Sequence, residues 1–290
     1  MLHPVAVQLY SLREYARLDY IGVLKRVAEI GYKGVEPAGF FNHRPSELKK
    51  ILDDLGLKLY SSHSPWANDG NLGECMDLAH ILGLKRIVCG YSANEFKDMD
   101  SIKATAERTS RMAEILNRNG FELFQHNHAF EFERIDGRLK YEIYAELCPL
   151  VKFQVDCFWS TNLGREDAVE MLKKFIDRTV LLHIKDGPLQ QKEAEQKYVN
   201  GILDRKIELV PLGQGDLPIR ELVAMAPKVD AVIVEYELFC ELRDAAAAET
   251  VAIQETAAAV AELDVLAALA DRALALGYVR PAMHAGDELA

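Results

Sequence analysis

The sequence predicts a (β/α)8 barrel: eight parallel strands closed on themselves, with helices outside. Three observations carry this reading. Short apolar runs alternate with longer amphipathic ones, the pattern of parallel strands joined by crossover helices. No GxGxxG follows the first apolar run and no GxxxxGK[ST] occurs anywhere, which disfavours an open, nucleotide-binding sheet and any nucleotide cofactor. Three helix endings share one phrase, AEIGYKG, DDLGLKL and HILGLKR, as expected of units built alike.

The elements follow in order. Val5–Leu9 is the first strand. Leu18–Ile30 reads as a helix, with Ile21, Leu24, Val27, Ala28 and Ile30 on one face and Gly31 ending it. Gly34–Glu36 is a short strand. Pro45–Leu55 is a helix with proline in its first turn and Gly56 past its end. Leu57–Ser62 is strand three, Leu72–Leu82 its helix, and Arg86–Cys89 strand four. A helix over Lys97–Asn119 leads to strand five, Phe121–Gln125. Helix Leu139–Leu147 precedes strand six, Val151–Val155, and helix Arg165–Phe175 precedes strand seven, Thr179–Ile184. The polar stretch Gly187–Gly215 is too long for an ordinary connection and suits a lid or binding loop. Helix Ile219–Met225 and strand Ala231–Val234 complete the eight units.

One barrel domain is expected over 1–280. Its last part, 243–280, is an Ala-rich helical segment, and 281–290 is a tail. The chain has 290 residues, 49% of them apolar and 27% charged, as in ordinary globular proteins. A formal net charge of −11 argues against nucleic-acid or anionic-membrane partners. The five cysteines, Cys75, Cys89, Cys148, Cys157 and Cys240, show no CxxC spacing. They read as free thiols of a cytoplasmic protein. No secretory leader pattern opens the sequence, and no apolar run reaches the ~18 residues a membrane span needs.

In such a barrel the strand C-termini form the active site. The residues there are Glu36, His63, the run Gln125-His126-Asn127-His128 with Glu131 beyond, Asp156 with Trp159 behind it, His183 with Lys185 and Asp186, and Glu235 with Glu237. Singly, each has an ordinary explanation. Asp156 can cap the next helix, and His183 can be a bonded core residue. His126 and His128 can bond neighbouring backbone, Asp186 can cap or ion-pair, Glu237 can face solvent, and Trp159 can simply pack. Jointly they are harder to explain without a cation, because buried unpaired carboxylates are costly. Glu131, Asp156, His183 and Glu235 offer three carboxylates and one imidazole. That set suits Mn²⁺ or Mg²⁺, with Co²⁺ or Zn²⁺ possible.

Several phrases then resemble one family: VAVQLYSLRE, GYKGVE, HNHAFEFE, VKFQVDCFWSTNLG, LLHIKDG, PLGQGDLPI and VIVEYE, in that order across residues 1–240. The chain is similar to the sugar phosphate isomerase/epimerase family of xylose-isomerase-like TIM barrels, with inosose dehydratase and 3-keto-glycoside lyase relatives. The resemblance implies one divalent metal held by a Glu, Asp, His, Glu quartet on strands five to eight. Three of these fall on Asp156, His183 and Glu235. The first falls on Glu131, with Glu133 the next candidate. The chemistry it implies is proton removal beside a carbonyl, through an enediolate, on a keto sugar or cyclitol. Glu131 and Glu235 would be the acid/base pair. His63, His128 and Lys185 would orient hydroxyls or stabilise developing charge, Glu36 and Trp159 would shape the pocket, and the loop Lys192–Lys206 would close over it. A small carbohydrate is the expected partner, and self-association is possible through the atypical C-terminal segment. The alternatives are a lyase or dehydratase on a similar 3-keto substrate, an endonuclease, which would need more histidines and a basic face, and a catalytically inactive barrel acting as a regulatory partner.

Overall fold

A computed structural model of the chain describes residues 3–190, 197–199, 202–204 and 207–235. The Ala-rich segment 243–280, the tail and Glu237 lie outside the described residues. Eight strands form one parallel sheet: β1 Val5–Gln8, β2 Gly34–Glu36, β3 Lys58–Leu59, β4 Arg86–Cys89, β5 Glu122–His126, β6 Lys152–Asp156, β7 Thr179–Ile184 and β8 Ala231–Val234. Their spatial order is β3-β2-β1-β8-β7-β6-β5-β4. This is the cyclic order of a (β/α)8 barrel, with β1 pairing β8 and only the β3–β4 seam lacking a ladder. A single bond spans that seam, from Ala67 N to Val88 O at 2.8 Å. With one edge unpaired, β3 has ladder bonds only over Lys58–Leu59, shorter than the Leu57–Ser62 expected.

The helices are α1 Arg13–Ile30, α2 Pro45–Asp54, α3 Leu72–Leu82, α4 Met99–Arg118, α5 Lys140–Leu147, α6 Ala168–Phe175 and α7 Ile219–Met225. Differences from the sequence reading have local causes. α1 begins five residues early but breaks at Asp19 (φ −151°, ψ 87°), whose carboxylate accepts Gly22 N at 2.8 Å and so caps the expected second half. α4 starts at Met99 because Asp98 caps it through Ser101 N (2.8 Å), and α6 starts at Ala168 because Asp167 caps it through Glu170 N (2.9 Å).

Strand residues alternate between two cores, because successive side chains point to opposite faces. Ala6, Val88, Phe124, Leu181, Ala231 and Ile233 meet inside the barrel. Their neighbours Val7 and Val35 pack outward, as do Ile87, Cys89, Leu123, Phe153, Val155, Leu182, Ile184 and Val232, against the helix layer. The Arg86 guanidinium bonds Glu122 (2.8 Å) and pairs with Asp230, tying β4 to the residue before β8 at the N-terminal end of the barrel.

Of the expected lid Lys192–Lys206, only two short backbone segments are described, Lys197–Val199 paired antiparallel with Ile202–Asp204. The rest of it lies outside the described residues. The loop's described return is anchored by Asp186. This buried carboxylate accepts Gly187 N (2.9 Å) and Leu217 N (3.1 Å) on Oδ1, and Gly213 N (2.8 Å) and Gly215 N (3.0 Å) on Oδ2.

Candidate metal centre

The alternation that sends Phe124, Leu181 and Ile233 into the barrel sends His126, His183 and Glu235 inward one step later, at the C-terminal mouth. On β6 the residues opposite in parity to outward Phe153 and Val155 are Gln154 and Asp156. On β1 and β2 they are Gln8 and Glu36. The inward top layer is therefore polar, and all seven of these residues are buried.

One group within this layer has metal-ligand geometry. Single donor atoms of His126, Asp156, His183 and Glu235 all lie within 4.8 Å of one another, and so do those of His63, His126 and His183. The donor chemistry fits a divalent ion: two imidazole nitrogens and two carboxylates suit first-row metals. Asp156 Oδ2 is buried and pairs with Lys185 Nζ at 3.0 Å. Asp156 Oδ1 accepts Phe158 N (3.0 Å) and Trp159 N (2.9 Å), so this residue also serves as the turn cap.

A hydrogen-bond network backs the group. Glu36 Oε1 is 2.6 Å from both Gln8 Nε2 and His183 Nε2 and 3.1 Å from His63 Nε2. Its Oε2 accepts Gln154 Nε2 at 2.6 Å and the Ser61 hydroxyl. Gln154 Oε1 in turn faces His63 Nε2 (2.8 Å) and His126 Nδ1 (3.0 Å). His183 Nδ1 lies 2.9 Å from Glu235 Oε2, and Lys185 Nζ lies 3.1 Å from the same oxygen and 4.8 Å from the centre of the Trp159 ring.

These contacts set the charges. Burial alone would raise the Glu36 carboxyl, but His63 and His183 beside it bring it down to about 2. Burial works against a charged His183, yet Glu36 and Glu235 raise it to about 10. Burial also opposes charge on Glu235, and Lys185 with His183 reverses this, holding it below the usual carboxylate range. Asp156 goes the other way, its pKa raised by burial against the pull of Lys185. His126 is pushed well down by burial and by the neighbouring imidazoles, so it stays neutral. A neutral imidazole is the form that binds metals.

The expected residues are thus brought together in part. Asp156, His183, Glu235, Glu36, His63 and Lys185 meet directly. Glu131 lies outside the ligand group. It is buried, with Oε1 accepting Gln125 Nε2 (3.1 Å) and Oε2 accepting His128 N (2.8 Å). Gln125 has the outward parity of β5, and Glu131 sits beside it. Glu133 pairs with Lys140 at 2.5 Å, away from the mouth. His128 stays at the rim, stacked between Trp66 (6.1 Å) and Phe130 (5.6 Å). The sequence reading gave no role to His126 as a ligand, nor to Gln8, Ser61, Gln154 or Trp66. The signal that could have pointed to His126 is strand parity, which turns it inward once Phe124 is placed inside. Trp66 also touches His63 (5.2 Å) and lies over Gly90, where an added Cβ would come within 1.4 Å of the indole. Only glycine permits that approach.

The model of the xylose isomerase-like TIM barrel family matches residues 24–269. This chain belongs to that family. Among solved structures, the xylose-isomerase-like barrel superposes on a sugar phosphate isomerase/epimerase from Parabacteroides distasonis (22% identity, 83% of this chain and 88% of that one, TM-score 0.61). It also superposes on D-psicose 3-epimerase with D-tagatose from Clostridium cellulolyticum (16% identity, 80% and 84%, TM-score 0.54). At these identities the likeness is one of fold. A separate local likeness joins the chain to the DNA mismatch repair protein MutS of Caldicellulosiruptor bescii, 46% identical over 56 residues, 19% of this chain. The chain spans only 6% of the length of that curated relative. Among the described residues no helix is long and apolar enough to cross a membrane.

Proposed function

We propose that this barrel is a divalent-metal-dependent isomerase or epimerase acting on a keto sugar or cyclitol. The observation that carries the reading is the buried group His126, Asp156, His183 and Glu235 at the barrel mouth, with ligand atoms mutually within 4.8 Å. These four would hold the ion, with Mn²⁺ the first choice and Mg²⁺, Co²⁺ or Zn²⁺ as alternatives. When bound, such an ion supplies Lewis-acid stabilisation of negative charge on a substrate oxygen. The remaining chemistry belongs to side chains. Glu235 is the most accessible carboxylate of the group and is held ionised by Lys185 and His183. It is therefore placed to take the proton beside a substrate carbonyl, giving an enediolate. Lys185, paired with both carboxylates, is placed to donate to developing charge. His63 and His128 orient hydroxyls, and Trp159 and Trp66 wall the pocket. Glu131 enters this reading as the partner carboxylate that holds the His128 backbone at the rim. The substrate is a small carbohydrate and the setting cytoplasmic.

The fold neighbours named above include a sugar phosphate isomerase/epimerase and a ketose epimerase, which supports the class. A lyase or dehydratase on a 3-keto substrate would start from the same proton abstraction. The 56-residue likeness to MutS spans 6% of that protein and brings no activity with it. The test is incubation with keto sugars, inososes and 3-keto-glycosides in D₂O with Mn²⁺ added. Deuterium should enter the carbon beside the carbonyl, and Glu235→Gln should lower that exchange ~10²–10⁴-fold. Mass-conserving product marks the epimerase, and loss of water or of an aglycone marks the lyase. Absence of exchange across the whole panel would defeat the reading.

A further inference from the structure

Glu36 and Gln154 are buried, on different strands, and bonded to each other, yet neither belongs to the ligand group. What they touch on their other sides is the two imidazoles of that group. Among the described residues the partners of Glu36 are all donors: Gln8 Nε2, Ser61 Oγ, Gln154 Nε2, His63 Nε2 and His183 Nε2. A carboxylate so placed acts as acceptor only, and it sets the direction of every bond leaving it. Gln154 must turn its NH₂ to Glu36, so its single carbonyl oxygen faces the rings of His63 and His126. His126 must therefore present Nδ1–H to Gln154, and its other nitrogen, Nε2, carries the lone pair. His183 faces a carboxylate on each side, Glu36 at Nε2 and Glu235 at Nδ1, so both nitrogens carry protons until an ion draws Glu235 away; the Nδ1 proton would then leave, while Glu36 keeps Nε2–H.

We infer that Glu36 and Gln154 are positioning residues that lock the two metal-ligand histidines in opposite tautomers, making Nε2 of His126 and Nδ1 of His183 the ligand atoms. The inference rests on the metal-site reading above but extends it to residues that would never touch the ion. Its physical basis is that an imidazole has one lone pair when neutral, and the partner of the other nitrogen decides where it lies. Outer partners of this kind contribute about 10–100-fold to metal affinity. Ser61 and Gln8 hold Glu36 in turn, so three strands, β1, β2 and β6, and the segment after β3 contribute to one orientation device. His63 bonds the same Glu36–Gln154 pair from the rim, its Nε2 between Glu36 Oε1 and Gln154 Oε1.

The test combines a spectroscopic and a thermodynamic measurement on the full chain. Long-range ¹H–¹⁵N correlation on chelator-treated protein should show His126 neutral with its proton on Nδ1, the tautomer disfavoured in free histidine. With Zn²⁺ added, His183 should keep its proton on Nε2. Gln154→Met preserves length but removes the acceptor. It should release the His126 tautomer and weaken Zn²⁺ and Mn²⁺ binding by about 10–100-fold, with far-UV circular dichroism unchanged. Glu36→Gln tests the other arm, and Ser61→Ala is the milder variant if Glu36→Gln does not fold. His126 protonated on Nε2 in the wild type would overturn the inference, as would unchanged metal affinity in a folded Gln154→Met. The His126 tautomer is read without metal. A wild type that shows it but binds no ion refutes the metal reading and leaves the positioning geometry standing.

Discussion

Replacing Asp186 by Asn should loosen the return of the long loop while leaving the barrel folded. The carboxylate accepts four backbone N–H groups, two on each oxygen. Asn keeps one acceptor oxygen and turns the other into an NH₂ facing two N–H groups. Two charge-assisted bonds are lost, each worth about 1.5–3 kcal/mol, so the local cost is about 3–6 kcal/mol. The whole cost does not reach the global stability, because the segment 213–217 can open and return its N–H groups to water. Backbone hydrogen exchange is the appropriate assay. At about 1.4 kcal/mol per factor of ten, exchange of the Gly213, Gly215 and Leu217 amides should speed by at least ~10²-fold, while that of β7 and β8 amides is unchanged. Gly215→Ala should act in the same direction, since a Cβ there would sit 2.2 Å from Asp186 Oδ1. Wild-type protection at all three amides in Asp186→Asn would refute the anchoring role.

Phe124→Ala empties part of the barrel interior shared with Val88, Leu181 and Ile233, and should cost about 3–5 kcal/mol in urea denaturation; a loss near zero would mean that core is not packed as described. Burial raises the thiols of Cys75 to about 11 and Cys89 to about 12, from an ordinary 9.0. Folding thus holds these protons more tightly than the unfolded chain does, so their stabilisation is full below pH 9 and is lost as the pH rises through 11 to 12. Denaturation midpoints should fall across that window, less steeply in Cys89→Ala, and a midpoint that holds steady to pH 12 would contradict the shifts. Cys75, Cys89, Cys148 and Cys157 are all buried, so peptide mapping after native alkylation at neutral pH should find all four unmodified.

The barrel was legible because its signals are local and redundant. Each strand is a short apolar run, and most connections carry their own stop, as Gly31 and Gly83 do in left-handed conformation after α1 and α3. Boundaries slipped where a side chain overrode periodicity, at the caps Asp19, Asp98 and Asp167. The candidate site was legible where a polar residue ends an apolar run, as Asp156, His183 and Glu235 do, and these three residues do meet at the barrel mouth. It was less so at β5, where four consecutive polar residues, Gln125 to His128, hide which of them faces in. There a one-residue difference in strand end, His126 in place of Gln125, decides whether an imidazole joins the ligand group. The partners Gln8, Ser61 and Gln154 could not be read from sequence, because uncharged polar residues within strands give no chemical signal until the fold brings them to Glu36. Trp66 was hidden for the same reason, since its place depends on the bare Cα of Gly90.

On the function proposed above, His126, Asp156, His183 and Glu235 together hold one divalent ion. Calorimetric titration of chelator-treated protein with Mn²⁺ tests it directly, comparing wild type with His126→Ala, Asp156→Ala and Glu131→Ala. One equivalent should bind to wild type, with severe loss in His126→Ala and Asp156→Ala and retention in Glu131→Ala, whose carboxylate is occupied by Gln125 and the His128 backbone. Binding that survives His126→Ala but not Glu131→Ala would move the first ligand back to Glu131. Failure of Mn²⁺, Mg²⁺, Co²⁺ and Zn²⁺ all to bind the wild type would contradict the claim outright.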